Sequence, residues 1–475
     1  MTRWLVLCIT LSIASALPAA DWPTHRGNPQ RTGNVDGQPG PKSPKVLWVH
    51  HSTQHYIASP VAGEKALYVS GLGAFNASAL QATSYDPSAK DDDRTAWSKG
   101  APYLKLPTVS PPAVFGGLVI FGDGMHQTSG ALLHGLRADD GFALWQYRID
   151  GELVHLEGAP AVADGKLYMG GGNAGVFCLD LKRIEVDGKE MDPAAAAKAI
   201  DAEWKKLLAK YEVDKRKDPD FAMAPTEENL PKTQPKLVWQ QGRERWHVDA
   251  SVNVAEGKVL VGSAFLDEEK IGDRAVYCLN AADGKEAWRA ALKHNPWGGA
   301  TFAKSDTGDL VIVGCSNIRF DPKELPRGQG EVIAFSLKDG TEKWKRPVAK
   351  GGVLSPVAVS GKWAVFTSTD GKMRGVEVGN GRLAWTYDGK APFFAAPAIA
   401  GDVAYSADLN GVVHAVNLAN GTKLWTLDLA NDAAVKSPGS VYGSPIVHGG
   451  RLYVATSNLD TPARKGTVLV CIGEK

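Results

Sequence analysis

One short unit recurs along this chain, and its spacing limits the folds available more than any other feature. It is clearest from Ala407 to Trp425: Ala407-Asp-Leu-Asn-Gly-Val-Val-His-Ala-Val-Asn-Leu-Ala-Asn-Gly-Thr-Lys-Leu-Trp425. Further copies run from Leu136 to Trp145, Val276 to Trp288, Val332 to Trp344 and Gly375 to Trp385. Each reads as a strand, an Asn-Gly or Asp-Gly turn, and a second strand carrying tryptophan. Those dipeptides are strong hairpin signals, because a two-residue turn of this kind needs positive φ. Degenerate copies place the same tryptophan at Trp48, Trp97 and Trp239.

The eight tryptophans 48, 97, 145, 239, 288, 344, 385 and 425 lie 40–56 residues apart, except for one gap of 94 that an insertion explains. Another 50 residues follow Trp425. Between one tryptophan and the next come three more strand-like stretches, such as Ser444-Pro-Ile-Val-His-Gly-Gly and then Arg451-Leu-Tyr-Val-Ala-Thr. Four short strands per unit of this length predict an all-β, eight-bladed β-propeller of four-stranded antiparallel blades, spanning 45–475. Helical and leucine-rich solenoids are excluded, because no unit shows a 3.6-residue apolar period. A repeat also explains how 475 residues serve a single domain. The repeated tryptophans read as packing that fills the wedge between blades, not as ligand residues.

The long gap falls in the third unit and predicts a helical insertion over 184–235, in the turn between the third and fourth strands. Asp192 can cap a helix with Pro193 at its first position. Ile200, Trp204, Leu207, Leu208 and Tyr211 share one stripe, and lysines load the remaining surface. This helix either folds back on the propeller flank or serves as a docking arm.

Residues 1–20 read as a secretory signal, with Arg3, an apolar run from Trp4 to Ala16, and small residues up to Ala20. That run is too short to span a bilayer, no other apolar stretch is longer, and no membrane span is expected after cleavage. A periplasmic or secreted monomer is expected, with an N-terminal extension over 21–44. Cys178, Cys278, Cys315 and Cys471 remain in the mature chain. Three of them occupy look-alike strands of different units, which favours small buried side chains over disulfides. No Cys-x-x-Cys occurs, which removes zinc ribbons, thioredoxin-like sites and haem attachment. The net charge is +1, so nucleic-acid binding is not expected.

The unit Leu-x-Ala-x-Asp/Asn-Gly-x-x-x-Trp resembles the tryptophan-docking repeat of pyrroloquinoline-quinone (PQQ)-like propellers. The opening Asp21-Trp22-Pro23-Thr-His-Arg26-Gly27, followed by Val46-Leu-Trp48, is similar to that of exported bacterial members. This family includes quinoprotein alcohol dehydrogenases and BamB-type assembly lipoproteins. The resemblance to the enzymes implies PQQ with calcium as cofactor. The adjacent cysteine pair of those enzymes is absent, as is a lipid-attachment cysteine of the BamB type. No catalytic residue is assigned, and the motif content fits a binding or scaffold protein better than an enzyme.

Loops entering the first strand of each blade line the mouth of a propeller's channel. Aligned on those starts, the units offer His55, His155, Glu157, His247, Asp249, His294, Phe394 and Tyr442 at the mouth. His155 and His247 are equivalent in neighbouring units, as are Glu157 and Asp249. Residues two apart on a strand share a face. These four can therefore converge on a divalent metal or a polar ligand, or else satisfy buried backbone groups singly. A PQQ site would draw on Trp246 and Trp297 for stacking, with Arg245 and Lys436 as cations. Three functions follow: a scaffold for envelope proteins or a small polar ligand, a PQQ-dependent alcohol or sugar dehydrogenase, or a metal-binding propeller.

Overall fold

The computed structural model describes residues 22–35, 39–126, 128–459 and 466–475. The expected leader, with Cys8, lies outside the described residues. Eight four-stranded antiparallel sheets succeed one another along the chain. Blades 1 to 7 occupy 61–99, 113–149, 161–241, 253–291, 300–348, 358–388 and 398–428. The eighth is shared between the two ends of the chain. Ile446–His448, Arg451–Ala455 and Thr467–Glu474 supply its three inner strands, and Pro44–Ser52 supplies the outermost. Trp48 stands opposite Cys471 in that pairing, as Trp288 stands opposite Cys278 within blade 4.

Outer strands show why the repeat reads as it does. Glu286–Ala291 buries only Trp288 and Ala290, with charged or exposed neighbours between them. Alternation of this kind is what an edge strand needs to stay soluble. The core lies between adjacent sheets: Ile312, Val332, Ala334 and Trp344 of blade 5 meet Val357, Ala364, Phe366 and Val376 of blade 6.

The Asn/Asp-Gly turn and the tryptophan are two halves of one joint. The ring of Trp288 lies against Gly340 in the turn of the next blade, and Trp97, Trp239, Trp344 and Trp385 meet Gly141, Gly284, Gly381 and Gly421 in the same way. Each of those glycines has φ between +66° and +71°, so glycine serves both the backbone twist and the close approach. The indole N–H then donates to a carbonyl of the next blade, Leu337 for Trp288 and Val378 for Trp344. Three seams lack the glycine turn: at one Trp425 Nε1 donates to the Pro41 carbonyl, and at the other two Trp48 and Trp145 have a buried Nε1 without a hydrogen-bond partner. Arg94 covers Trp48 at 4.2 Å instead, and Asp91 accepts from His50 and His51 across the same seam.

The insertion forms where expected, between Val176–Val186 and Thr233–Gln241. Its helix, Pro193–Lys217, is capped by Asp192, which accepts from the Ala195 amide at 2.9 Å. Of the predicted stripe only Ile200 is fully buried, beside Ala196, Ile184 and Val186. Trp204 packs edge-on to Phe142, while Leu208 is exposed. The first half of the helix is thus folded onto the flank and the second half is not. Cys178, Cys278, Cys315 and Cys471 are buried and free.

The N-terminal extension threads the axis of the ring. Carbonyls of Trp22, Pro23, Pro29, Gln30, Thr32 and Gly33 accept in turn from Ala62, Val114, Val254, Phe302, Val359 and Ile399. Those are innermost-strand residues of blades 1, 2, 4, 5, 6 and 7. Asn34–Val35 then runs parallel to the innermost strand of blade 7. Arg31, fully buried, anchors the plug. Its guanidinium donates to the carbonyls of His25, Ala159, Pro160 and Val252 and to the Thr24 hydroxyl. A planar five-donor fork suits five acceptors fixed in space.

Candidate functional site

The plug makes the channel blind. His25 forms part of its floor, and above it a cavity of about 440 Å³ opens at the end where the chain enters each first strand. Ile57, Val109, Trp297, Leu354, Phe394 and Tyr442 give it an apolar wall drawn from blades 1, 2, 5, 6, 7 and 8. Turns between second and third strands form the upper rim: Met125 and His126 in blade 2, Leu266 in blade 4, and Arg319 to Asp321 in blade 5. Phe320 packs edge-on to Phe394, which packs edge-on to Tyr442. The equivalent turn in blade 1 carries Phe75, which is 96% exposed.

Polar groups gather on one side. His155 and His247, both without solvent exposure, face the same Asp249 oxygen from Nε2 at 2.7 and 3.0 Å. Only the first contact has hydrogen-bond geometry. The ring planes of His155 and His247 are 66° apart, with centroids separated by 5.2 Å. His126 closes the group from above, with its ring centroid 5.9 Å from that of His155. Its amide N–H donates to Glu157 at 2.5 Å. Burial alone would raise the Asp249 carboxyl, but the two imidazoles outweigh it and hold the group well below the usual carboxylate range. Burial would likewise depress His155, yet the Asp249 charge and hydrogen bond move it upward. Glu157 moves the other way, raised by burial and by the neighbouring Asp249 charge. Burial lowers His126, and the adjacent His155 and Arg319 charges act in the same direction. Two carboxylates beside one histidine pair are therefore driven apart in acidity by their surroundings.

The residues read from the sequence divide clearly. Glu157, Asp249, Trp297, Phe394 and Tyr442 line the cavity, with His155 and His247 directly behind Asp249. His55 is turned to the C-terminal segment, where its Nδ1 accepts from the Asn458 amide. His294 is half-buried away from the cavity lining. Trp246 is buried in blade 4 against Tyr277 at 4.1 Å, with the Arg245 guanidinium over its ring at 5.6 Å. Lys436 is exposed in the lead-in to blade 8. The stacking and cationic residues named for PQQ thus do not converge, and only Trp297 reaches the cavity. His126 and Arg319 were not legible, because they sit on turns that carry no repeat signal.

Other buried histidine–aspartate pairs recur with the blades. His134 meets Asp123 at 3.0 Å in blade 2, and His414 meets Asp408 at 2.9 Å in blade 7. In each, the carboxylate after the second strand also accepts from a third-strand amide. The His126, His155 and His247 group follows no such register.

Among the described residues, no helix is long and apolar enough to cross a membrane. No curated protein matches the sequence. Among solved structures, BamB from Moraxella catarrhalis is similar at 12% identity and a TM-score of 0.53, covering 90% of this chain and 97% of that one. A europium-containing methanol dehydrogenase is similar at 12% identity and a TM-score of 0.62, covering 96% and 98%. The quinohemoprotein alcohol dehydrogenase from Comamonas testosteroni is similar at 14% identity and 0.62, covering 97% and 82%. At these identities the likeness is one of fold. A family model described as outer membrane protein assembly factor BamB matches residues 40–200, 231–304 and 328–469. Its interruptions fall in the helical insertion and in the segment that brings Arg319 to the cavity. On that match the chain belongs to the BamB-like family of PQQ-repeat propellers.

Proposed function

We propose that this protein is an exported, non-catalytic binding propeller whose mouth face receives an extended segment of another envelope polypeptide. The observation that carries this reading is an apolar, blind cavity with exposed phenylalanines, Phe75 and Phe320, on the turns around its opening. Solvent-facing aromatics at the rim of a concave apolar site are the composition of a partner surface. A blind cavity takes side chains from one direction only. The leader read over 1–20 supports export, and the family's description as an assembly factor supports an envelope partner.

The dehydrogenase reading fits these residues poorly. PQQ is a flat tricarboxylate, and Arg319 is the one lysine or arginine among the described residues lining the cavity. Asp249 and Asp321 line it as well, so the cavity lacks the cationic cluster a trianion would need. A titration of the purified chain with PQQ, with and without calcium, separates the readings. No saturable change in tryptophan fluorescence is expected, and saturation at micromolar PQQ refutes the scaffold reading. A photo-crosslinking residue at Phe320, compared with one at Leu383 on an outer strand, tests the partner face. Adducts with an envelope protein are expected at 320 and not at 383. Equal yields at the two positions would remove the mouth face from the proposal.

A further inference from the structure

We propose that His126, His155 and His247 form a binding site for a transition-metal ion of the zinc class at the wall of the cavity. This inference is independent of the partner-binding reading. One ring nitrogen from each of the three lies within 4.8 Å of one from the others. Zinc–nitrogen bonds of about 2.0–2.1 Å place tetrahedral ligands roughly 3.3 Å apart. Small rotations of three side chains therefore close the site around an ion.

A second observation points to the same ion. His155 Nδ1 and both ring nitrogens of His247 are buried without a hydrogen-bond partner. A neutral imidazole has one lone pair to satisfy, and leaving it unmet in the interior is unfavourable. A metal ion supplies what the protein does not. Asp249 occupies the position expected of an outer-shell carboxylate, holding His155 and approaching His247 from Nε2. Metal-bound histidines are commonly oriented by such a carboxylate.

The donor set also selects the class of ion. Three imidazole nitrogens suit zinc, cobalt, nickel or copper, whereas calcium and lanthanide-like hard ions prefer oxygen. Glu157 is engaged by the His126 amide, so it is placed to fix the turn carrying His126. The sequence-level set of His155, Glu157, His247 and Asp249 is thereby redrawn: His126 enters as a ligand, and the two carboxylates become supports. His155 and His247 are fully buried, but the His126 side chain is 30% exposed and faces the cavity. A fourth position on the ion would open into the cavity. The three ligands come from blades 2, 3 and 4, so the ion would also tie those blades together.

The experiment is a titration of the EDTA-treated full chain with Zn²⁺ by calorimetry and with Co²⁺ by visible absorption. One equivalent should bind with micromolar or tighter affinity, Co²⁺ should give the intense bands of a four-coordinate site, and Zn²⁺ should raise the unfolding temperature. His126→Ala keeps the buried pair intact and should fold, with affinity reduced at least ten-fold. Asp249→Asn should weaken binding less severely. His51→Ala, at the blade 8 seam, should leave binding unchanged. Absence of stoichiometric binding overturns the proposal. So does binding that survives His126→Ala, or binding that is lost in His51→Ala.

Discussion

Replacing Gly340 by alanine tests the joint that repeats around this ring. Two costs apply at that position. Gly340 has φ +71°, a region where an L-residue costs about 1–2 kcal/mol. The new methyl would also sit 2.6 Å from Trp288 Cε3, where carbon atoms in contact need about 3.5 Å. The backbone of the turn is held by the Gly340 amide donating to Ser336, so the indole is the part that must move. Its ring is wedged between sheets, and Nε1 donates to Leu337 at 2.7 Å. Overpacking costs about 1–3 kcal/mol and an unmet buried N–H about 1–3 kcal/mol, with partial overlap. Gly361 supplies the control, with φ +54° and nothing within 4 Å of a new methyl. Gly340→Ala should therefore lose about 2–4 kcal/mol more than Gly361→Ala. Urea unfolding followed by both far-UV circular dichroism and tryptophan emission measures the difference. Equal losses in the two variants would refute the argument that glycine is required by the ring as well as by the turn.

Two further outcomes follow from features of the plug and the turns. Arg31→Met should cost roughly 3–5 kcal/mol, because it strands carbonyls that the buried guanidinium now satisfies; Arg31→Lys should recover little of it, and denaturant midpoints decide the point. Asp339 is held at about 2 by the Thr341 hydroxyl and amide. A depressed acid stabilises above its ordinary value near 3.8 and loses that contribution as pH falls through about 2. The stability gap between wild type and Asp339→Ala should stay constant from neutral pH to about 4 and close towards pH 2, read from denaturant midpoints across that range.

The ring was legible because its joint is written twice in most blades, as a glycine turn and as a tryptophan. Trp48 even announced a blade whose other strands lie at the far end of the chain. Lead-in loops share a register, which is why His155 and His247, with Glu157 and Asp249, were brought together on paper. Turns between second and third strands share none. His126 and Arg319 become neighbours of the site only through the closure of the ring, a long-range condition that no local pattern encodes. The role of Arg31 was not legible for a different reason. Charged side chains normally mark surface, and here they are buried because an axis lined with carbonyls offers acceptors that water would otherwise supply.

The shared eighth blade sets an order on assembly. Its outermost strand precedes the seven other blades in chain order, and the partner for that strand follows them. Until Thr467–Glu474 arrives, Pro44–Ser52 has no ladder to join, and the wedge that Trp48 fills has only one wall. The plug is caught in the same dependency, since its contacts run from blade 1 to blade 7. The ring therefore closes only when strands from both sides of the seven-blade run are present together.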